Sequence, residues 1–258
     1  MSGSPPRVLV TRPARQAAQW VSRLQAEGID AVALPLIAID AAPDPAAVRS
    51  AWDALHAMRL VVFVSPNAAE CFFAARPPLA AWPEGARAAA VGPGTASVLR
   101  GKGLGAQQIV EPAPGAQQFD SEALWEQLRG VDWRGARVLI VRGDGGREWL
   151  AQTLRANGAD VSTVCAYRRS FPRLDAAQRE LLDAALAAPR SHLWFFSSSE
   201  AIDNLHALAP PGADWAHSRA LATHPRIADR ARAVGFGRVE LARPSFDAVS
   251  GCIQSTSP

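Results

Sequence analysis

The chain has 258 residues, 48% hydrophobic and 20% charged, which excludes a mainly disordered chain and leaves enough apolar surface for a packed core. At roughly 150 residues per domain, that length suits two modest domains or one large one. The 27 basic residues against 24 acidic give a net charge of +3, and 26 of the 27 are Arg because Lys102 is the sole Lys.

Met1–Arg7 is rich in Ser, Pro and Gly, has no apolar h-region and runs into a strand-like stretch at Val8–Thr11. A helical run follows over Gln16–Glu27 and stops at Gly28, then a strand from Ala31. The pattern continues with a helix over Pro45–Met58, a strand at Leu60–Val64, a helix from Asn67, a strand at Ala88–Val91, a helix from Thr95 and a strand at Gln108–Val110. Short Val/Ile/Phe-rich runs alternating with amphipathic segments predict βαβ units and a parallel sheet covered on both faces. No stretch approaches the ~20 apolar residues that span a membrane. A cytoplasmic protein is the expectation.

The second half repeats the first. Arg7-Val8-Leu9-Val10-Thr11-Arg12 aligns with Arg137-Val138-Leu139-Ile140-Val141-Arg142 at an offset of 130, holding through Gly28 over Gly158 and Asp30 over Asp160. At an offset of 132, Arg87–Pro93 aligns with Arg219–Pro225, and Phe63-Val64-Ser65 with Phe195-Phe196-Ser197. Gly28 and Gly158 both stand where a left-handed helix cap is expected. Leu36–Asp40 and Cys165–Arg169 occupy equivalent places after the first βαβ of each half. If these extended segments pair, they form a two-stranded connector, and each half's first βαβ joins the remainder of the other half. A tandem cut near Gly130–Gly135 is the alternative.

The rare residues limit the chemistry. Lys102 sits in a Gly-rich run rather than an apolar element, which sets Schiff-base chemistry aside. Cys71, Cys165 and Cys252 form no CxxC pair, and His56, His192, His206, His217 and His224 show no HxxxH spacing, so neither a zinc site nor a disulfide framework is expected. There is no GxxxxGK[ST] and no GxSxG, and Gly92-Pro93-Gly94-Thr95-Ala96-Ser97 lacks the last glycine of a dinucleotide fingerprint.

In open parallel sheets, ligands lie outside the carboxyl ends of the strands, where helix N-termini offer free amides. Six predicted strand ends carry hydroxyls, Gly or Arg: Thr11-Arg12, Ser65-Pro66-Asn67, Gly92-Pro93-Gly94-Thr95, Arg142 with Gly145-Gly146-Arg147, Ser197-Ser198-Ser199, and Thr223-His224-Pro225-Arg226. Together they suit a cleft for a large, multiply anionic ligand. Taken singly, Ser, Thr or Asn before a helix also serves as an ordinary N-cap. Tyr167, the sole Tyr, lies in the second connector, where it borders the cleft or packs a short ladder.

These motifs, with Val8–Pro13, Phe63–Ala68, Ala90–Ala96, Phe119–Glu122, Arg142–Glu148, Ala166–Arg169 and Phe196–Ala201 in order, resemble the uroporphyrinogen-III synthase family from about Arg7 to Asp247. The resemblance implies an α/β fold of two doubly wound, flavodoxin-like parallel-sheet domains joined by a two-stranded connector. One domain comprises 1–35 with 173–258, the other 44–164, and the connector strands are 36–43 and 165–172. The implied enzyme is a cofactor-free, cyclising hydro-lyase. It converts hydroxymethylbilane, a linear tetrapyrrole with eight carboxylates, to uroporphyrinogen III through a spiro intermediate, losing water and inverting the last ring. Tyr167 matches the family's candidate proton donor, and the strand-end residues named above line the substrate cleft. A monomer is implied, with transient contact to the upstream bilane-forming enzyme and neither nucleic acid nor membrane as partner. The Thr223–Arg226 turn departs from a GPTTA-like family pattern, while Thr95 keeps the first-half threonine. The competing readings are a non-catalytic two-domain anion-binding or sensor module and a nucleotide- or sugar-phosphate-using transferase.

Overall fold

The computed structural model describes residues 5–113, 115–116 and 118–255, so the Met1–Ser4 part of the N-terminal stretch lies outside the described residues. In chain order the elements are β1 (Arg7–Val10), α1 (Ala14–Ala26), β2 (Ala31–Ala33), β3 (Ala38–Ala41), α2 (Pro45–Asp53), β4 (Leu60–Phe63), α3 (Pro66–Ala74), β5 (Arg87–Ala90), α4 (Pro93–Gly101), β6 (Ile109–Val110) and α5 (Ser121–Leu128). They continue with β7 (Arg137–Gly143), α6 (Trp149–Ala156), β8 (Asp160–Ser170), α7 (Ala176–Ala187), β9 (His192–Phe196), α8 (Ser199–Leu208), β10 (Arg219–Ala222), α9 (Pro225–Val234), β11 (Arg238–Leu241) and α10 (Phe246–Ser255). Parallel sheets interleaved with helices make the chain an α/β protein. Among the described residues, no helix is long and apolar enough to cross a membrane.

The chain divides into two compact units, residues 1–38 with 170–258, and residues 39–169. The sheet of the first runs β11-β10-β9-β1-β2, and that of the second β3-β8-β7-β4-β5-β6. Duplicated strands take matching positions, because β1, flanked by β2, pairs with β9 of the β9–β11 set, while β7, flanked by β8, pairs with β4 of the β4–β6 set. Within each sheet the order reverses at one place, between β1 and β9 in the first and between β7 and β4 in the second. A crevice outside the carboxyl ends of the strands belongs at such a point.

Alternate residues of each strand bury opposite faces, the signature of a sheet covered on both sides. Val61 and Phe63 of β4 pack with Phe72 on one face, while Leu60 and Val62 pack with Leu150 and Leu154 on the other. In the first unit, Val8, Val10, Phe195 and Leu221 pack with Leu24 and Val249. A fully buried side chain of this size contributes roughly 1.5–3 kcal/mol. Helix α1 ends at Ala26, just ahead of Gly28 at φ +77°, and α6 ends likewise at Ala156, just ahead of Gly158 at φ +93°.

Several predicted boundaries shift for local reasons. Helices α3 and α4 begin at Pro66 and Pro93, one and two residues earlier than the sequence pattern suggests, because proline fits the first helical position. The helix expected over Pro45–Met58 ends at Asp53, and a 3-10 turn over Leu55–Ala57 follows. The connector segments are more unequal than the repeat suggests. In the second copy, a single eleven-residue strand, β8, runs from the repeat unit through the connector. The first copy breaks into β2 and β3 around Pro35, which has no amide proton for a ladder. Strand β3 lies beside β8 at the edge of the six-stranded sheet.

Candidate functional site

The reversal point of the second unit gathers Ser65 and Asn67 at the end of β4 and Arg142–Arg147 at the end of β7, with Tyr167 on the adjacent β8. Ser65 is the N-cap of α3, and its Oγ accepts from the Ala68 amide at 3.0 Å. The same Oγ lies 3.1 Å from the Tyr167 hydroxyl, either group being able to donate. One hydroxyl thus joins a helix start to a phenol 102 residues away in sequence.

A register shift aims Tyr167. Arg142 of β7 pairs with Cys165 and Gly143 with Tyr167, leaving Ala166 as the extra residue on β8. Such a bulge turns the strand locally. Ala166 and Tyr167, adjacent in sequence, consequently both enter the same hydrophobic cluster. The phenol ring lies flat against Gly143: a Cβ there would fall 2.7 Å from Cζ. The Tyr167 carbonyl accepts from the Asp144 amide at 3.1 Å and from the Cys165 Sγ at 3.3 Å. Asp144 Oδ1 accepts in turn from the Arg169 amide at 3.0 Å. Tyr167 is 2% exposed, so its ring packs the sheet while its hydroxyl meets the helix start.

The two arginines of this turn each hold a carboxylate of the same unit. Arg142 pairs with Glu148, and Arg147 takes Glu122 with both terminal nitrogens, Nη2 to Oε2 at 2.8 Å. The Glu122 hydrogen bond raises the Arg147 pKa further above its ordinary value. Gly145 and Gly146 between them adopt φ +75° and +118°, which lets the turn double back. Nearby, Gly92 caps α4 in extended conformation, and a Cβ there would meet Phe119 Cβ at 3.0 Å. A Cβ on Gly94 would lie 3.5 Å from Pro66, so α3 and α4 start side by side. Thr95 is buried within the first turn of α4.

In the first unit, Thr11, Arg12 and Ser197–Ser199 lie at the reversal between β1 and β9. Thr11 is buried, and its hydroxyl donates to the Phe195 carbonyl at 2.7 Å, tying β1 to β9. Arg12 Nη1 donates to Gln16 Oε1 at 3.2 Å, and its guanidinium carbon sits 4.7 Å from the Trp20 ring centroid. Ser198 is the N-cap of α8, accepting from the Glu200 amide at 3.2 Å. Thr223 is buried, and His224 takes the N-cap position of α9, where its Nδ1 accepts from the Arg226 amide at 3.1 Å. The side chain of Arg226 is exposed.

Two parallel sheets whose strand ends carry these turns match one known family along most of the chain. A family model described as uroporphyrinogen-III synthase HemD covers residues 18–250. The chain belongs to the uroporphyrinogen-III synthase family. It is 30% identical over 247 residues to the uroporphyrinogen-III synthase of Salmonella typhimurium, covering 91% of this chain and 94% of that protein. It is 29% identical over 242 residues to the Escherichia coli K12 enzyme of the same name, with the same shares covered. Two solved structures share the fold. Uroporphyrinogen-III synthetase from Helicobacter pylori 26695 aligns with TM-score 0.57 at 14% identity, covering 97% of this chain and 99% of that one. A mutant uroporphyrinogen III synthase from the extremely thermophilic bacterium Thermus thermophilus aligns with TM-score 0.56 at 20% identity, covering 97% and 98%.

For this member of the uroporphyrinogen-III synthase family, the structure joins Ser65 directly to Tyr167 and places Gly92, Gly94 and Thr95 on a neighbouring helix start. The carboxylates of Glu122 and Glu148, the Gly143 contact and the His224 cap were not singled out from the sequence. The Glu residues carried a signal in their position, since both fall within the motifs Phe119–Glu122 and Arg142–Glu148. His224 carried none, because an imidazole seldom replaces Ser, Thr, Asn or Asp as an N-cap.

Proposed function

We propose that this chain cyclises hydroxymethylbilane to uroporphyrinogen III, losing water and inverting the last pyrrole ring. Family membership across residues 18–250 is the observation that carries the activity. The substrate's eight carboxylates call for donors in number. Helix-start amides at α3, α4, α8 and α9 and Arg12 of the β1 turn can meet them, and Arg142 and Arg147 of the β7 turn can do so by exchanging Glu148 and Glu122 for substrate carboxylates.

Tyr167 acts as the general acid. The C–O bond of the terminal hydroxymethyl group breaks, and the oxygen leaves as water with the phenolic proton, leaving an electron-poor azafulvenium cation beside the phenolate. The substituted carbon of the last ring attacks to give the spiro intermediate, which fragments and closes the other way. The proton released as the final pyrrole regains aromaticity restores the phenol. Ser65 fits the phenol's change of role: at 3.1 Å it is able to donate to the tyrosine oxygen, which frees the phenolic proton for the leaving group. The adjoining α3 N-terminus favours the transient phenolate. Orientation carries much of the remaining burden, because the substrate closes without a template to the uninverted isomer.

The same reading makes the protein a cofactor-independent cytoplasmic monomer with transient contact to the bilane-forming enzyme. It also assigns residues 36–43 and 165–172 as connectors between flavodoxin-like domains, a division supported by the unit boundaries at Ala38/Ile39 and Arg169/Ser170.

The test is to add the protein to hydroxymethylbilane and resolve the oxidised products by chromatography. An excess of the type III isomer is expected, and type I alone overturns the reading. Tyr167→Phe should lower turnover by about 10–100-fold without abolishing it, below the full range for general acids because the pyrroles are intrinsically reactive. Wild-type turnover in that variant removes the acid role.

A further inference from the structure

Arg12 differs from the arginines of the β7 turn, each of which holds a carboxylate. Among the described residues no carboxylate pairs with it, and its Nε is sealed from solvent without a hydrogen-bond partner. The guanidinium is held by three groups of its own unit. Trp20 and Phe195 present ring faces with centroids 4.7 and 5.7 Å from Cζ, and Gln16 accepts from Nη1. Burial pushes the pKa of Arg12 down to about 10, so the group keeps its charge near neutral pH. A half-buried cation with its Nε sealed and no carboxylate beside it among the described residues opposes folding, and its retention calls for a reason.

The sequence prepares this arrangement. Arg12, Gln16 and Trp20 recur at intervals of four, which places them on one face of α1 and the turn before it. Trp20 is itself fixed, with ring centroids 4.9 Å from Phe195 and 5.4 Å from Phe246. The residue stands where the strand order reverses and is half-buried rather than sealed as a whole.

We propose that Arg12 is a prepared anchor for one carboxylate of the ligand, with Trp20 and Gln16 as positioning residues that hold the fork before binding. The planar fork of Arg12 requires only a carboxylate. That it belongs to the bilane rests on the preceding reading. The ligand supplies the charge that no described residue supplies, so Arg12 weakens the free protein and strengthens the bound one. A guanidinium placed for packing alone behaves oppositely, because its removal weakens the free protein.

The experiment compares the full-length wild type with Arg12→Gln, Arg12→Lys and Trp20→Leu. It measures melting with and without uroporphyrin I as an octacarboxylate probe, and KM and kcat with hydroxymethylbilane. Arg12→Gln is expected to melt at or above the wild-type temperature without the probe. It should lose most of the probe-induced rise and increase KM about tenfold or more, with kcat within about twofold. Arg12→Lys, which keeps the charge without the planar fork, falls between, and Trp20→Leu raises KM while leaving kcat in place. Wild-type KM and probe shift in Arg12→Gln, or a lower melting temperature with unchanged KM, overturns the anchor. A wild type that neither turns over nor responds to the probe overturns it too. If the wild type fails to convert the bilane while the probe shift still depends on Arg12, the anchor stands and the assigned reaction falls.

Discussion

Replacing Gly143 by Ala tests the mounting of Tyr167 with a definite sign. The added Cβ would lie 2.7 Å from Cζ, 3.0 Å from Cε2 and 3.1 Å from Cε1 of the ring. Carbons rest at about 3.5–4.0 Å, so the ring must retreat by close to an ångström or the two strands must part. Retreat from Gly143 disturbs the 3.1 Å contact between the tyrosine hydroxyl and Ser65. Overpacking of this kind costs about 1–3 kcal/mol, and loss of the hydrogen bond adds about 1 kcal/mol. At about 2–4 °C per kcal/mol for a chain of this size, the melting temperature should fall by roughly 5–15 °C. In open space, Gly→Ala within a strand would instead stabilise by about 0.5–1 kcal/mol. Calorimetry on Gly143→Ala, Tyr167→Leu and the double variant separates the two cases, since Tyr167→Leu removes the ring that the methyl strikes. The alanine should cost several times less in the Leu background, and kcat of the single variant should fall at least as far as in Tyr167→Phe. A Gly143→Ala protein with wild-type melting and wild-type kcat refutes the account.

Two other outcomes follow from the same region. Ser65→Ala removes both the cap acceptor of the Ala68 amide and the partner of the phenol, so it should cost about 1 kcal/mol of stability and lower kcat. Ser65→Thr, which keeps the oxygen, should restore much of both in parallel melting and turnover assays. The Cys165 thiol has its pKa raised, chiefly by burial, so its thiolate fraction at pH 8 lies below that of a free cysteine. Mass spectrometry of iodoacetamide labelling should therefore find Cys165 slow at pH 8, with a rate still climbing above pH 9. Labelling at pH 8 as fast as a free thiol contradicts this.

The duplicated strands, the α/β alternation and the Gly28 and Gly158 helix ends were legible because each is a local pattern written into adjacent residues. The family resemblance rested on the same turns, and its outcome is the family the chain belongs to. Less legible was what happens across strands. Tyr167 reads as a connector residue, yet its position depends on one extra residue in β8 that puts Gly143 beneath its ring, and no spacing in β7 or β8 announces that shift. Thr11 and Ser65 look alike as hydroxyls after strands. One is spent on the Phe195 carbonyl inside the sheet, the other meets the phenol, and only the pairing of distant strands separates them. Proline at the first turn of α3 and α4 moved helix starts upstream of the apolar pattern, because the fixed φ of proline begins the helix before any periodicity appears. The spacing of Arg12, Gln16 and Trp20 was present in the sequence but reads as ordinary amphipathic helix until Phe195 arrives from β9.

The single tyrosine makes this protein its own reporter. Biosynthetic labelling with a fluorinated tyrosine would introduce one fluorine environment into the whole chain, with its ring stacked on Gly143 and its oxygen against Ser65. Every change at the phenol, whether deprotonation, loss of the serine contact or arrival of a pyrrole, would then register as movement of one resonance with no assignment problem.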